Sequence, residues 1–276
     1  MLGLGGSITN RAKPPVFDFR KIKGLIGWWD FSNKGSITDV SSNPIDNGDY
    51  IYQIKNLAFE LEKTAATKQK ALGKFLRGTD ASNRPVWSSD GYATFTTNDV
   101  LQATTTVGAI DTNKVSTSTI SQQAHTSFFV LHHNSGTVSG ASDIFFSMKS
   151  DNVNMRVIYL VEAASDGYIS VDLPGSKTEV RTASGQGATS NKFLLTTVKN
   201  SASSNKMYIN GNTSNGTSSG SAGGGTLDMA VNSANVQVQM GDSWVGKYFE
   251  CVIFNRVLND REIKKIEKFL IKKHGI

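Results

Sequence analysis

Between residues 25 and 254 the chain repeats one pattern: a short run of β-branched and aromatic residues, then a polar, glycine-rich break. The clearest runs are Leu25–Trp29, Ser127–His132, Asp143–Met148, Met155–Val161, Tyr168–Leu173, Lys192–Val198, Lys206–Ile209, Val236–Met240 and Phe249–Phe254. Runs of this length between turn-forming residues read as strands. In Asn154–Glu162, Met155, Val157, Tyr159 and Val161 share one face of a strand. Ile158 and Leu160 take the other face, the pattern of a strand buried on both sides. Many short strands with few helices predict an all-β sandwich or jelly roll, not alternating strand–helix units. The 276 residues fit one large domain of this kind with short appendages. Cys251 is the single cysteine, which excludes an intrachain disulfide and a multi-cysteine zinc site. No apolar run approaches the roughly 20 residues of a bilayer-crossing helix, so no membrane insertion is expected.

The two ends differ from this body. Residues 1–24 hold Gly3, Gly5 and Gly6, and then Pro14-Pro15, which forbids a helix across that point. Arg11, Lys13, Pro14, Pro15, Val16, Phe17 and Phe19 predict an extended arm that binds a neighbouring protein. Residues 25–258 are expected to form the sandwich and residues 259–276 a C-terminal helix packed on it. Asn259 with Glu262 three residues later is a capping-box pattern. Ile263, Ile266, Phe269 and Leu270 make one apolar face. Lys272, Lys273 and His274 ahead of Gly275 suit the negative end of the helix dipole. The opening MLGLGGSITN has neither the basic start nor the apolar stretch of a secretory leader, and none is expected.

The net charge of +6 gathers in these ends. Residues 1–24 carry five bases and one acid, residues 259–276 six bases and three acids, and the body 18 bases against 19 acids. Nucleic-acid binders carry their charge as a patch on the folded domain, so this distribution argues against that class. It suits docking onto an acidic partner. Ala58–Phe75 holds good helix formers with Lys63, Lys68, Lys70 and Lys74, and reads as a solvated loop with a short helix. Thr213–Thr226 is a Ser, Thr, Asn and Gly stretch that reads as a flexible surface loop.

Catalytic patterns are missing: no Gly-x-Ser-x-Gly elbow, no phosphate-binding loop and no His-Glu-x-x-His. Paired acids alternating on one strand, as a sandwich glycosidase would need, are not found on the central strands. His132 and His133 point to opposite faces if they sit on a strand. Glu250, Arg256 and Asp260 suggest a structural charge cluster.

Several segments together resemble a known family. Gly24-Leu-Ile-Gly-Trp-Trp-Asp-Phe-Ser-Asn33 is similar to the opening strand of concanavalin A-like, laminin-G-type sandwich domains. Tyr52-Gln-Ile-Lys-Asn56 resembles the following segment, with Asn56 where an aspartate is usual. Pro85-Val-Trp87, Ala93-Thr-Phe95 and Asp99-Val-Leu101 resemble the next, and Lys206-Met-Tyr-Ile-Asn-Gly211 the family's hairpin. The stretch from Gly246 to Asp260 resembles its closing strand, and Lys272 to Ile276 its tail. The resemblance covers roughly residues 24–276 and implies a concanavalin A-like jelly-roll β-sandwich. This tryptophan opening with a helical tail looks like bacteriophage virion sandwich proteins. The expectation is therefore a non-enzymatic virion structural protein, either a capsid decoration or a tail or fibre component. Its expected partners are other virion proteins and further copies of itself. The alternative is a lectin-like module for host-surface glycans. Sugars stack on exposed aromatic rings, and Trp87, Tyr92, Tyr168 and Trp244 are the candidate contacts. No cofactor is required; the fold also admits calcium, with Asp242 and Asp90 as candidate ligands.

Overall fold

The computed structural model describes residues 17–59, 72, 74–78, 80–104, 119–121, 124–134, 143–149, 156–162, 168–171, 179–181, 191–199, 205–214, 217–219, 226–228, 237–241 and 244–276. Two antiparallel eight-stranded sheets face each other. The first is built from β1 (Leu25–Asp30), β5 (Val86–Ser88), β6 (Tyr92–Phe95), β9 (His125–His133), β14 (Phe193–Lys199), β15 (Asn205–Ile209), β16 (Asn212–Ser214) and β20 (Gly246–Phe254). Its order is β16-β15-β14-β9-β20-β6-β5, and β1 pairs with the far half of β20. The second holds β2 (Ile37–Thr38), β3 (Gln53–Lys55), β4 (Phe75–Arg77), β7 (Leu101–Thr104), β10 (Asp143–Lys149), β11 (Arg156–Glu162), β12 (Tyr168–Val171) and β19 (Gln237–Met240). Its order is β12-β11-β10-β19-β7-β4-β3-β2. Two small pairs complete the strands described: β13 (Glu179–Arg181) with β17 (Thr217–Ser219), and β8 (Thr119–Ser121) with β18 (Thr226–Asp228). The all-β sandwich follows from the alternating apolar runs, each of which appears as a strand. Within the Thr213–Thr226 stretch, expected as a loop, Thr213, Ser214, Thr217–Ser219 and Thr226 instead pair in β16, β17 and β18, and the other residues lie outside those described. Most of the helix expected within Ala58–Phe75 lies outside the described residues.

The side-chain period of two divides the first sheet into an inner and an outer face. Along β14, Phe193 and Leu195 enter the core between the sheets, while Leu194 and Val198 face outward. Both sets are buried, because the helix α1 (Asp260–His274) covers the outer face here. Ile263, Ile266 and Leu270 pack on Phe128, Val130, Val252 and Phe254. Each fully buried side chain of this size contributes about 1.5–3 kcal/mol. The helix begins at the expected capping box, with Asn259 accepting from the Glu262 N–H at 2.9 Å and Glu262 accepting from the Asn259 N–H at 3.0 Å. It ends at Gly275, whose φ of 65° is left-handed. The Asn210-Gly211 turn joins β15 to β16 with φ of 53° and 76°, the type I′ signature that Asn-Gly encodes.

Trp28 and Trp29 do point to opposite faces. Trp29 is fully buried between the sheets, whereas Trp28 lies outside under Phe19. This corrects the arm reading at Phe17 and Phe19. Phe19 is fully buried in the protein's own outer core, and Phe17 stacks on Phe269 with 4.8 Å between centroids. The apolar face of α1 leaves Phe269 at its margin, and the chain entering β1 covers it. Arg11, Lys13, Pro14, Pro15 and Val16 lie outside the described residues.

The expected charge cluster is also rearranged. Glu250, fully buried on the outer face, accepts from Trp28 Nε1 at 2.8 Å. Lys273 Nζ and His274 Nε2 each lie 2.7 Å from Glu250 Oε2, and Lys273 also reaches Asp30 Oδ2 at 2.7 Å. Burial opposes the charge on Lys273, but Glu250 and Asp30 outweigh it and hold its pKa above the usual lysine value. Arg256 instead forks onto Glu262 at 2.9 and 2.6 Å, a bond that lowers the Glu262 pKa against the opposing effect of burial.

The inner face carries one polar corner. Ser127 and Thr197 pair across β9 and β14, as do His125 and Lys199, and all four are buried. Burial alone lowers the Lys199 pKa to about 8, and its Nζ has no hydrogen-bond partner among the described residues.

Candidate functional site

The helix covers only part of the outer face of the first sheet. Beyond its C-terminus a row of side chains runs straight across five neighbouring segments. Tyr50 bridges to Val86, Val86 pairs with Thr94, Thr94 with Lys247, and Lys247 with His132. Their chain neighbours Trp87, Ala93, Tyr248, Leu131 and His133 are buried on the inner face, so alternation puts the row outside. Val86, Thr94, Lys247 and His132 are half-buried, and Tyr50 is 58% exposed. Four strand spacings of about 4.8 Å make the row roughly 19 Å long.

Two aromatic rings back the row on the side nearer the helix. Tyr92 lies 5.4 Å from Phe249, and Phe249 lies 6.0 Å from His274 at the helix end. Phe249 sits where the register of β20 shifts between Tyr248 and Glu250, which turns its ring outward. Each ring carries an ammonium: Lys247 Nζ is 4.4 Å from the Tyr92 centroid, and Lys192 Nζ is 4.8 Å from that of Phe249. Such contacts stabilise by about 0.5–1 kcal/mol at exposed sites, so a ligand displaces them cheaply.

The Tyr50 end of the row is held rigidly. The Gly48 N–H donates to Trp87 O at 2.9 Å, the Trp87 N–H to Asp49 O at 2.9 Å, and the Ser89 N–H to Asn47 Oδ1 at 2.9 Å. Lys34 Nζ meets Asp46 Oδ1 at 2.5 Å beside it. The arrangement offers ring faces, hydroxyls and cations on one pre-set surface.

Of the four aromatic residues expected to contact a sugar, one, Tyr92, lies beside the row. Trp87 is 5% exposed, with its indole N–H donating to Phe31 O at 2.9 Å. Trp244 is fully buried against Phe95, Tyr248 and His133. Both belong to the core; beside Trp87, the polar Ser88 takes the opposite strand face. The backbone of Tyr168 pairs with that of Glu162 at the edge of the second sheet, and its side chain lies outside the described residues. Tyr50 was missed, since Asp46-Asn47-Gly48-Asp49 before it reads as a turn and nothing local marks its alignment with Lys247. His132 and His133 take opposite faces, as expected. Burial lowers the His133 pKa, with the neighbouring His132 charge acting the same way. Asp90 is exposed in the β5–β6 turn, and Asp242 lies outside the described residues. Among the described residues no three His, Cys, Asp or Glu side chains group as metal ligands.

No family model and no curated protein matches the chain. Solved structures match weakly. A Trypanosoma rangeli sialidase in complex with 2,3-difluorosialic acid aligns at 12% identity and a TM-score of 0.43, over 88% of this chain and 32% of that one. A botulinum neurotoxin type C structure, reported with cell entry that depends on two ganglioside molecules, aligns at 13% identity and a TM-score of 0.45, over 90% and 51%. A sialidase of Streptococcus pneumoniae aligns at 15% identity and a TM-score of 0.37, over 52% and 24%. This chain therefore spans between a quarter and a half of those chains. Such distant likeness carries no functional argument. None of the comparisons places the chain in the concanavalin A-like or phage-protein families that its motifs resemble.

Proposed function

We propose that the protein is a lectin-like, non-enzymatic module that binds acidic glycans on the uncovered outer face of its first sheet. The row Tyr50–Val86–Thr94–Lys247–His132 carries this reading. Tyr50 and Tyr92 supply ring faces for sugar C–H groups. Lys247 and Lys192 supply charge for a carboxylate or sulfate, and Thr94 with Ser88 supplies hydroxyls for orientation. Two buried carboxylates nearby, Asp30 and Glu250, are committed to Lys273 and His274, which favours binding over acid–base catalysis. A virion setting, proposed from the sequence resemblance, is compatible with such a module and changes nothing in its chemistry.

The test is an array of sialylated, sulfated and neutral glycans probed with the intact chain, alongside Tyr50→Ala and Lys247→Ala. Binding to acidic glycans that falls at least tenfold in both variants is the expected result. Signal no higher than background, or binding indifferent to both substitutions, overturns the proposal.

A further inference from the structure

A second surface lies on the far side of the helix and is independent of the glycan shelf. Lys264, Lys268 and Lys272 follow one another at four-residue spacing on α1, so they form one stripe. All three are exposed, and none forms an ion pair among the described residues. The stripe borders a groove of about 500 Å³ between α1 and the β15–β16 turn. Ile271 and Ile276 give it apolar surface. Gly211 brings bare backbone to within ordinary contact distance: a Cβ there would lie 3.6 Å from Glu267 Oε2 and 3.7 Å from Ile271 Cδ1.

Glu267 is the unusual member of this lining. It is 5% exposed, and its Oε1 is buried without a hydrogen-bond partner among the described residues. Burial raises its pKa above the usual glutamate value, against the weaker opposing pulls of Thr196 and Lys264. Three ammonium groups with no ion pair among the described residues make this groove wall strongly cationic, and carboxylates would complement it.

Spacing narrows the choice. Four helical residues rise about 6 Å, and two residues of an extended chain rise about 6.6 Å with their side chains on the same side. Acids at alternate positions of an extended peptide therefore meet successive lysines. We infer that this groove binds an extended acidic segment of a partner protein, with carboxylates at every second residue along Lys264, Lys268 and Lys272 and apolar side chains against Ile271 and Ile276.

Fluorescence anisotropy with the full chain tests this. One labelled, end-capped peptide alternates aspartate with valine; a second has the same composition with its aspartates contiguous. The alternating peptide is expected to bind at least fivefold tighter. The combined Lys264→Ala, Lys268→Ala, Lys272→Ala variant is expected to lose at least tenfold, and Lys268→Ala alone about threefold, which stands as the test if the combined variant unfolds. Equal affinity for the two peptides, or full binding after loss of the lysines, overturns the inference. So does lysine-dependent binding to phosphatidylserine vesicles with none to either peptide, which would mark a lipid surface.

Discussion

Lys273 Nζ lies 2.7 Å from Glu250 Oε2 and so ties the last turn of α1 to the middle of β20. The Lys273 side chain is partly exposed, and its removal leaves buried Glu250 with Trp28 and His274 as partners. Lys273→Met loses a charge-assisted hydrogen bond rather than stranding a bare charge, and is expected to destabilise by about 1.5–3 kcal/mol in urea unfolding at pH 7. The contribution carries its own pH signature. A lysine whose folded pKa is raised stabilises fully below its ordinary value of 10.5, and the gain is lost as pH rises through the folded value. The parent should lose stability more steeply than the variant in that alkaline range.

Lys199 behaves in the opposite sense. Its pKa falls from 10.5 to about 8 on folding, so between those values the unfolded chain binds more protons. Stability should then rise with pH from about 8 to 10.5. One pKa unit is about 1.4 kcal/mol, which puts the cost of the buried charge at about 3 kcal/mol near neutrality. Lys199→Met is expected to recover about 2–3 kcal/mol at pH 7 and to flatten that rise. Chemical denaturation repeated across pH 7–10 reads both effects.

The helix start offers a smaller handle. Asn259→Ala removes the acceptor for the Glu262 N–H and is expected to cost about 1 kcal/mol. The Glu262 carboxyl, with its lowered pKa, stabilises above its ordinary value, and that gain is lost as pH falls through the folded value. Thermal melts stepped down from pH 7 should show the full Glu262→Gln defect at neutrality and its decline below pH 4.5 as the carboxyl protonates.

Phe19 distinguishes a core residue from a contact made with a partner. It is fully buried against Trp28 and Phe269, so Phe19→Ala is expected to cost about 3–5 kcal/mol in the isolated protein. A residue that only touched a neighbour would leave the melting temperature of the isolated chain unchanged.

The sequence is most informative where structure depends on local spacing. Strands at Leu25, Ser127 and Phe249, the turn at Asn210-Gly211 and the cap at Asn259 are all written within a few residues of where they act. The shelf is not, because Tyr50, Thr94, Lys247 and His132 meet only through strand pairings that bring together residues up to 197 positions apart. The partners of Glu250 show the same limit. Arg256 and Asp260 are near it in sequence but fall past the strand end, while Lys273 and His274 return to it from the far end of a helix. Trp87 is a core residue although Ser88 and Ser89 follow it, because polar neighbours along a strand say nothing about the face opposite to them.

The bond from Trp28 to Glu250 gives the protein a built-in optical reporter. Trp29, Trp87 and Trp244 are sealed in the interior, so their emission changes only when the sandwich itself opens. Trp28 shares its acceptor with the end of the helix. Release of the helix alone would expose that one indole to water and shift its emission to the red. Intrinsic fluorescence can thus time the detachment of the tail separately from the collapse of the body.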